Sequence, residues 1–199
     1  MVVKEGKMKE LMKPIETLID FKKGVVSPDR VLERRVSDMQ GMYVDEKALQ
    51  SLLSQDNPLI YEVREIKIPE EPGHIIYSTT IIYPGKVGKE YFMTKGHFHA
   101  KEDTAEIYFC LSGEGYLLMQ TKEGKVSAIY MKPGVLGYIP PYWGHRTINT
   151  GDREFVFLTL FPGDAGHNYE IVAKHGFAKI MVEEEGKPVL KDNPKYIPL

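Results

Sequence analysis

Three histidines and one glutamate have the residue types and spacing of metal ligands. His97 and His99 stand two positions apart, so on an extended strand both imidazoles project from the same face. Glu106 and His145 come later in the chain and could join them from neighbouring strands. A His-x-His pair alone is more often part of a solvated strand face, so the prediction of a metal site depends on all four residues together.

The donor set narrows the kind of site. Three neutral imidazoles and one carboxylate suit iron, manganese, nickel or zinc, and the sequence does not distinguish these metals. Structural zinc sites commonly use several cysteines, whereas Cys110 is the only cysteine in the chain. Four protein ligands on a six-coordinate ion leave positions open. We therefore expect catalysis or ligand capture at this site.

Composition excludes several other classes of protein. A chain of 199 residues with 42% hydrophobic residues predicts one globular domain over residues 1–199, with its core at about 59–161. The net charge of −2, with basic and acidic residues interspersed, argues against a nucleic-acid partner. No segment offers the ~20 apolar residues of a membrane span, and residues 1–10 lack the apolar centre of a signal peptide. We therefore expect a cytoplasmic protein with no membrane partner.

The elements that would position these residues are mostly strands. Helices are predicted over residues 8–20, with an interruption at Pro14, and over residues 45–53, capped by Asp45. From Leu59 onward, short runs rich in β-branched and aromatic residues alternate with glycine-containing turns, which is typical of a sandwich or barrel. The tail over residues 186–199 is expected to be an extended arm or to fray. The predicted strands are 59–68, 74–83, 90–99, 105–111, 115–121, 125–131, 135–139, 145–150, 155–161 and one near 177–183.

Strand alternation indicates which other side chains face the metal. Counting from Glu106, Tyr108 and Cys110 fall on the metal-facing side, although Tyr108 could equally be an ordinary buried tyrosine. Thr94 and Gly96 have the opposite parity to the two histidines of the His-x-His pair. They would face away unless Gly96 hosts a bulge that redirects the strand.

The ligand residues belong to a two-part pattern that resembles the cupin family. The resemblance implies a mainly β fold, a cupin barrel (double-stranded β-helix, jelly-roll) with short N-terminal helices and strand extensions. Three departures from the pattern stand out: a longer gap between the second histidine and the glutamate, Tyr91 at a glycine position, and Tyr142 at another. The first part contains His97, His99, Glu106 and Gly113, and the second contains Gly134, Pro140, His145 and Asn149.

A narrower resemblance covers roughly residues 37–182. The segments 79–90, 94–101, 140–147 and 161–169 closely resemble the cupin-type glucose-6-phosphate isomerases of archaea. Those enzymes are dimers that interconvert glucose 6-phosphate and fructose 6-phosphate. The resemblance implies a homodimer with a small sugar-phosphate substrate and one divalent metal ion per subunit, iron first and manganese, nickel or zinc as alternatives. The metal ligands would be His97, His99, Glu106 and His145.

The same resemblance implies roles for further residues. The reaction would proceed through an enediolate or a metal-assisted hydride shift, and both routes stay open. Phe161 stands where the family pattern has a tyrosine, so a hydroxyl contact to the sugar is missing there. His74 and His175 lie in no motif and are expected at the surface. The implied catalytic residues are Glu106, Tyr108 and His167, and the implied substrate-binding residues are Tyr61, Thr80, Thr94, the backbone N–H of Gly96, and Tyr169, with Lys95 adding charge.

Two other functions use the same kind of barrel. A different cupin metalloenzyme, a dioxygenase or decarboxylase, would keep the metal ligands but would not need phosphate-binding threonines. A non-enzymatic sugar-binding cupin could lose metal ligands, whereas all four are present here. Thr80 and Thr94 therefore favour the isomerase.

Overall fold

The computed structural model describes residues 11–199, which form antiparallel sheets with two short α-helices. The helices are α1 (Glu46–Gln55) and α2 (Glu170–His175), and a 3-10 turn covers Val36–Met39. The strands are β1 (Ile19–Asp20), β2 (Gly24–Val25), β3 (Arg30–Arg35), β4 (Leu59–Glu65), β5 (Ile75–Ile82), β6 (Lys86–Val87), β7 (Glu90–Tyr91), β8 (Phe98–His99), β9 (Glu106–Ser112), β10 (Gly115–Gln120), β11 (Val126–Met131), β12 (Leu136–Ile139), β13 (Gly144–Asn149), β14 (Phe155–Pro162), β15 (His167–Asn168), β16 (Lys179–Glu184) and β17 (Lys187–Asp192).

Two sheets enclose the core. A six-stranded sheet has the order β12-β9-β14-β5-β4-β3, and a three-stranded sheet has the order β11-β10-β13. One hydrophobic cluster joins them, with Ile82 and Phe157 from the larger sheet and Leu117 and Ile148 from the smaller one. Side chains alternate along these strands, so each sheet turns one apolar face inward. The predicted mainly β fold is confirmed.

The helix prediction is confirmed at one place and wrong at the other. α1 begins after Asp45, whose side chain accepts a hydrogen bond from the Ala48 backbone N–H at 2.9 Å, as expected of an N-cap. The helix predicted over residues 8–20 is wrong where it can be examined: residues 11–18 have no regular structure and β1 follows them. Pro14 removes a helical hydrogen bond, and Asp20 accepts from the Lys22 and Lys23 amides in a turn instead. Residues 8–10 lie outside the described part of the chain.

The C-terminal tail takes the first of its two predicted forms, an extended arm. β17 pairs antiparallel with β16 over residues 187–192, so the other alternative, fraying, does not apply there. Beyond the strand, the Lys195 ammonium donates to the Tyr43 carbonyl at 2.6 Å and pairs with Glu46 at 2.5 Å. These contacts attach the tail to the start of α1.

Neither helix within residues 11–199 combines the length and apolar character needed to cross a bilayer.

Cys110 lies buried on β9, and burial raises the pKa of its thiol to about 12, in keeping with a strand residue packed in the core.

Candidate metal centre and its cavity

The four predicted ligands come together in the barrel. His99 lies on β8, Glu106 begins β9 and His145 lies on β13, while His97 forms an isolated β-bridge with His145. One ligand atom from each residue lies within 4.8 Å of the others, and all four side chains are buried. This group could hold a metal ion.

Contacts inside the group favour a shared ion over direct pairing. Glu106 Oε2 lies 3.1 Å from His99 Nε2 and 2.9 Å from His145 Nε2. Adjacent ligand atoms on an ion with bonds of about 2.1 Å lie about 3 Å apart. The His145 contact is short but lacks hydrogen-bond alignment, so its Nε2, like that of His97, has no hydrogen-bond partner within residues 11–199. Buried polar atoms are normally partnered, and a metal ion would supply the missing partner.

The tautomer of His99 also favours a metal ion between the four ligands. Its Nδ1 lies 3.1 Å from the Thr104 carbonyl and 2.8 Å from the Thr104 hydroxyl, which itself donates to the Lys101 carbonyl. Because a carbonyl only accepts, Nδ1 carries the proton and Nε2 faces the Glu106 carboxylate. The unprotonated His99 Nε2 and the Glu106 carboxylate oxygen are both acceptors and would repel each other at this distance. Either a second proton on the ring or a metal ion therefore lies between them.

The electrostatics keep the donors near their ligating forms. Burial, and then the neighbouring histidines, lowers the pKa of His97 well below its usual value, so that ring is neutral. Burial alone would raise the pKa of Glu106, but His145 and His99 outweigh it, and the pKa is lowered. For His99, burial is the largest single influence and acts to lower the pKa, but the hydrogen bond and charge of Glu106 together with the Thr104 contact outweigh it, and the pKa is raised. A metal ion would displace that proton.

Thr104 is a residue that the sequence analysis missed. We expect Thr104→Val to weaken metal affinity about tenfold, because a partner that orients a ligating histidine typically contributes 10–100-fold and the carbonyl contact survives. Competition with a chelator of known affinity measures the change. Thr104→Ser, which keeps the hydroxyl, is the matched control, and an unchanged affinity in Thr104→Val would remove the residue from this role.

A β-bulge at Gly96 shapes the approach to the metal group. Two bridge pairs, Met93–Ile148 and His97–His145, define the bulge. Between them the chain advances four residues on the Met93 side and three on the His145 side, so the segment 93–97 carries one extra residue. Gly96 has φ +76°, and a Cβ there would lie 2.9 Å from the His145 carbonyl oxygen. The single strand predicted over residues 90–99 is therefore wrong, because only β7 and β8 remain at its ends. Of the two alternatives that the sequence left open for this segment, a regular strand or a bulge at Gly96, the structure has the bulge.

The bulge turns both sides of this segment toward one cavity of about 1000 Å³. His97, Glu106 and His145 reach its wall, and His99 lies behind them. The hydroxyls of Ser78 and Thr159, 2.9 Å apart, also line it, as does Arg34, and the sequence analysis missed all three. The residues predicted to bind substrate or act in catalysis line this cavity together: Tyr61, Thr80, Thr94, Gly96, Glu106, Tyr108, His167 and Tyr169.

Aromatic side chains flank the metal group. The His167 ring centroid is 4.5 Å from that of His97, and β15 places His167 directly opposite His99. Desolvation at the cavity wall lowers the pKa of His167 and favours its neutral ring, although the residue as a whole keeps an exposed side. Tyr108 lies 5.5 Å from the His145 ring, and burial followed by Glu106 raises the pKa of its hydroxyl well above 10. Both residues are therefore uncharged groups that carry a proton.

Two residues that depart from the family pattern, and two histidines outside the ligand group, have clear positions in the structure. Phe161 lines the cavity with its ring edge-on to His167 at 5.3 Å, an apolar contact where the family pattern has a hydroxyl. Tyr142, at a glycine position of the pattern, adopts φ +71° and is 60% exposed. His74 and His175 are partly exposed and lie outside the ligand group, consistent with their predicted surface position.

Comparison with known proteins agrees with the resemblance found in the sequence. The family model described as glucose-6-phosphate isomerase (GPI) matches residues 33–198. The chain is 51% identical over 183 residues to a glucose-6-phosphate isomerase of Thermococcus litoralis, covering 92% of this chain and 96% of that protein. It is 48% identical to one of Pyrococcus horikoshii, covering 92% and 97%.

A solved oxalate oxidase structure is similar to this chain with a TM-score of 0.47 and 18% identity, covering 59% of this chain and 58% of that one. The sequence relatives are far more similar and match nearly their whole length. This chain belongs to the glucose-6-phosphate isomerase family.

Proposed function

We propose that this protein is a metal-dependent aldose–ketose isomerase that interconverts glucose 6-phosphate and fructose 6-phosphate. The observation that carries the proposal is the buried three-histidine, one-glutamate group at the wall of a cavity lined by hydroxyl groups. Relatives about 50% identical over most of the chain bear the name glucose-6-phosphate isomerase. A metal group beside hydroxyl donors suits a substrate that carries a carbonyl at one end and a phosphate at the other.

One divalent ion would be held by His97, His99, Glu106 and His145. Iron is our first choice, by resemblance, with manganese, nickel and zinc as alternatives, because the donor set accepts all four. When bound, such an ion supplies Lewis-acid polarisation of a carbonyl. The orphaned Nε2 atoms of His97 and His145 support this assignment.

The phosphate end would lie along the bulge. Thr94 Oγ1 accepts from the Thr147 backbone N–H at 3.0 Å, which leaves the Thr94 hydroxyl proton free to donate. The Gly96 amide sits in a left-handed backbone turn of the kind that forms anion-binding concavities. Tyr61 and Thr80, on adjacent strands β4 and β5, contribute two further hydroxyl groups to the same wall. Hydroxyl and amide donors are good partners for a phosphate dianion.

The reacting end has two candidate routes between C1 and C2. A proton route needs a base within reach of C2, and a carboxylate engaged with two histidines, as Glu106 is, is a weak base. Tyr108, protonated, can donate to a substrate oxygen, and neutral His167 can pass a proton between the two oxygens. A hydride shift needs no base at C2. Isomerisation in D₂O separates the routes, since deuterium enters the product carbon only if a solvent-exchangeable proton is transferred.

We expect Thr94→Ala to raise the KM for fructose 6-phosphate about tenfold with a smaller effect on kcat, because the residue meets the phosphate and not the reacting carbons. Steady-state kinetics measures both constants. Thr94→Ser keeps the hydroxyl and should stay close to the unsubstituted protein. A KM that does not change in Thr94→Ala would remove Thr94 from the phosphate site.

The direct test of the function is a coupled assay for glucose 6-phosphate formed from fructose 6-phosphate by the purified, metal-loaded protein. The expected result is turnover that disappears in His99→Ala and that needs more substrate, but persists, in Thr94→Ala. Absence of turnover together with oxygen uptake or carbon dioxide release from an organic acid would favour the dioxygenase or decarboxylase alternative. The predicted homodimer is tested separately by light scattering, and a monomer at assay concentrations would contradict it.

A further inference from the structure

Arg146 is a buried arginine that neither the metal group nor the proposed substrate contacts use. It follows the ligand His145 on β13 and is 4% exposed. Its Nη2 donates to the Lys95 carbonyl at 2.7 Å, and its Nη1 donates to the Met93 sulfur at 3.1 Å. The guanidinium lies 4.2 Å over the Phe177 ring. These contacts hold the guanidinium directly behind the bulged segment.

The charge of Arg146 has no close counterion. None of the ion pairs among residues 11–199 includes Arg146, and its buried Nε has no hydrogen-bond partner there. A guanidinium stays protonated in proteins, so Arg146 is a buried cation at neutral pH. Glu90, which is also buried and has one unpartnered oxygen, acts on it from beyond ion-pair distance. A buried cation with no carboxylate at ion-pair distance is costly, so an anion bound close to it would be stabilising.

The bulged segment separates Arg146 from the cavity. A Cβ at Gly96 would lie 2.9 Å from the Arg146 Cβ, so the two backbones pack closely. The Thr94 and Lys95 residues line the cavity on the other side of this segment, while Arg146 itself does not line it. An anion bound to the segment would therefore meet the field of Arg146 through protein interior, where charges interact more strongly than in water.

We infer that Arg146 is a positioning residue for the anionic end of the substrate: it holds the Lys95 carbonyl, and with it the turn over residues 94–96, and its buried charge attracts a phosphate dianion bound on the cavity side. The inference rests on the proposed function only in placing the phosphate at this turn. It predicts that Arg146 acts on anion affinity without touching the anion.

Inorganic phosphate is the probe that separates this inference from the isomerase activity. Calorimetry on metal-loaded protein gives its dissociation constant without any turnover. Removing the charge in Arg146→Met should raise that constant about tenfold or more, with metal content unchanged, because an opposite charge at close range typically contributes at least this much. Arg146→Lys, which keeps the charge, should restore most of the affinity. Arg153→Met removes the same charge at an exposed position and should leave the constant unaltered.

A phosphate affinity in Arg146→Met within about twofold of the unsubstituted protein overturns the inference, because a charge that acts through protein interior should change the affinity by more than that. No phosphate binding by the unsubstituted protein overturns it as well. If Arg146→Met does not fold, Glu90→Gln is the variant to measure. Removing the negative charge of Glu90, which opposes that of Arg146, should tighten phosphate binding. An unchanged or weaker phosphate affinity in Glu90→Gln would contradict the inference. If the phosphate affinities of the Arg146 variants change as predicted but the protein shows no isomerase turnover, the proposed function is rejected and this inference stands.

Discussion

Replacing His99 with alanine should abolish metal binding and isomerase turnover together. His99 is 5% exposed, and its Nε2 lies 3.1 Å from the Glu106 carboxylate, so the substitution removes one ligand and leaves a buried carboxylate without one of its two partners. Loss of a directly coordinating residue and of the ion that it holds should reduce kcat/KM on the order of a thousandfold or more.

Metal content by elemental analysis and turnover by the coupled assay should be measured on the same His99→Ala preparation. His74→Ala removes a histidine outside the ligand group and should leave both quantities unaltered. Stoichiometric metal with full turnover in His99→Ala would show that His99 is not a ligand. Retained metal with lost turnover would instead give the residue a role at the substrate.

Replacing Gly96 with alanine should destabilise the protein by about 3 kcal/mol, because a left-handed backbone costs a residue with a Cβ roughly 1–2 kcal/mol and a steric clash adds to it. Gly96 has φ +76°, and the added Cβ would meet the His145 carbonyl and the Phe177 ring at 2.9 Å. The backbone must shift to relieve that contact, and His97 follows at the next position. Metal affinity should therefore fall with stability.

The substitution Gly186→Ala separates the cost of the left-handed backbone from the cost of the steric clash. Gly186 has φ +74°, close to the value at Gly96, but an added Cβ there meets nothing within 4 Å. It should cost only about 1 kcal/mol, the backbone part of the effect, and leave metal affinity unchanged. Denaturant unfolding of the metal-free proteins measures the stability difference. Equal losses in both variants would mean that the close packing at Gly96 has no energetic consequence.

The sequence could predict much of the site because chemistry restricts its residues. Imidazole and carboxylate groups at His97, His99, Glu106 and His145 have few other reasons to fall in such a pattern, and the structure brings all four together. Period-two alternation on β9 correctly directed Tyr108 toward the cavity. The glycine at position 96 signalled a bulge, although the parity of the neighbouring residues alone suggested the opposite face.

What could not be predicted depends on contacts distant in sequence. β3 is a strand because it pairs with the edge of β4, a partner that no local pattern in Arg30–Arg35 reveals, and Arg34 reaches the cavity only through that pairing. The sequence around Thr104 indicates only a loop, and its role depends on the contact between its hydroxyl and the His99 ring, which only the fold reveals. The helix predicted near Pro14 is wrong: residues 11–16 are exposed and irregular, and Thr17 instead contacts the distant Tyr77 hydroxyl at 2.7 Å.

The most direct test of the whole account is metal reconstitution. The protein is stripped with a chelator and reloaded separately with iron, manganese, nickel and zinc, and conversion of fructose 6-phosphate to glucose 6-phosphate is measured against bound metal. We predict no turnover in the stripped protein and restored turnover, proportional to occupancy at one ion per subunit, with at least one of the four. Full turnover by metal-free protein, or none with any metal bound stoichiometrically, would contradict the account.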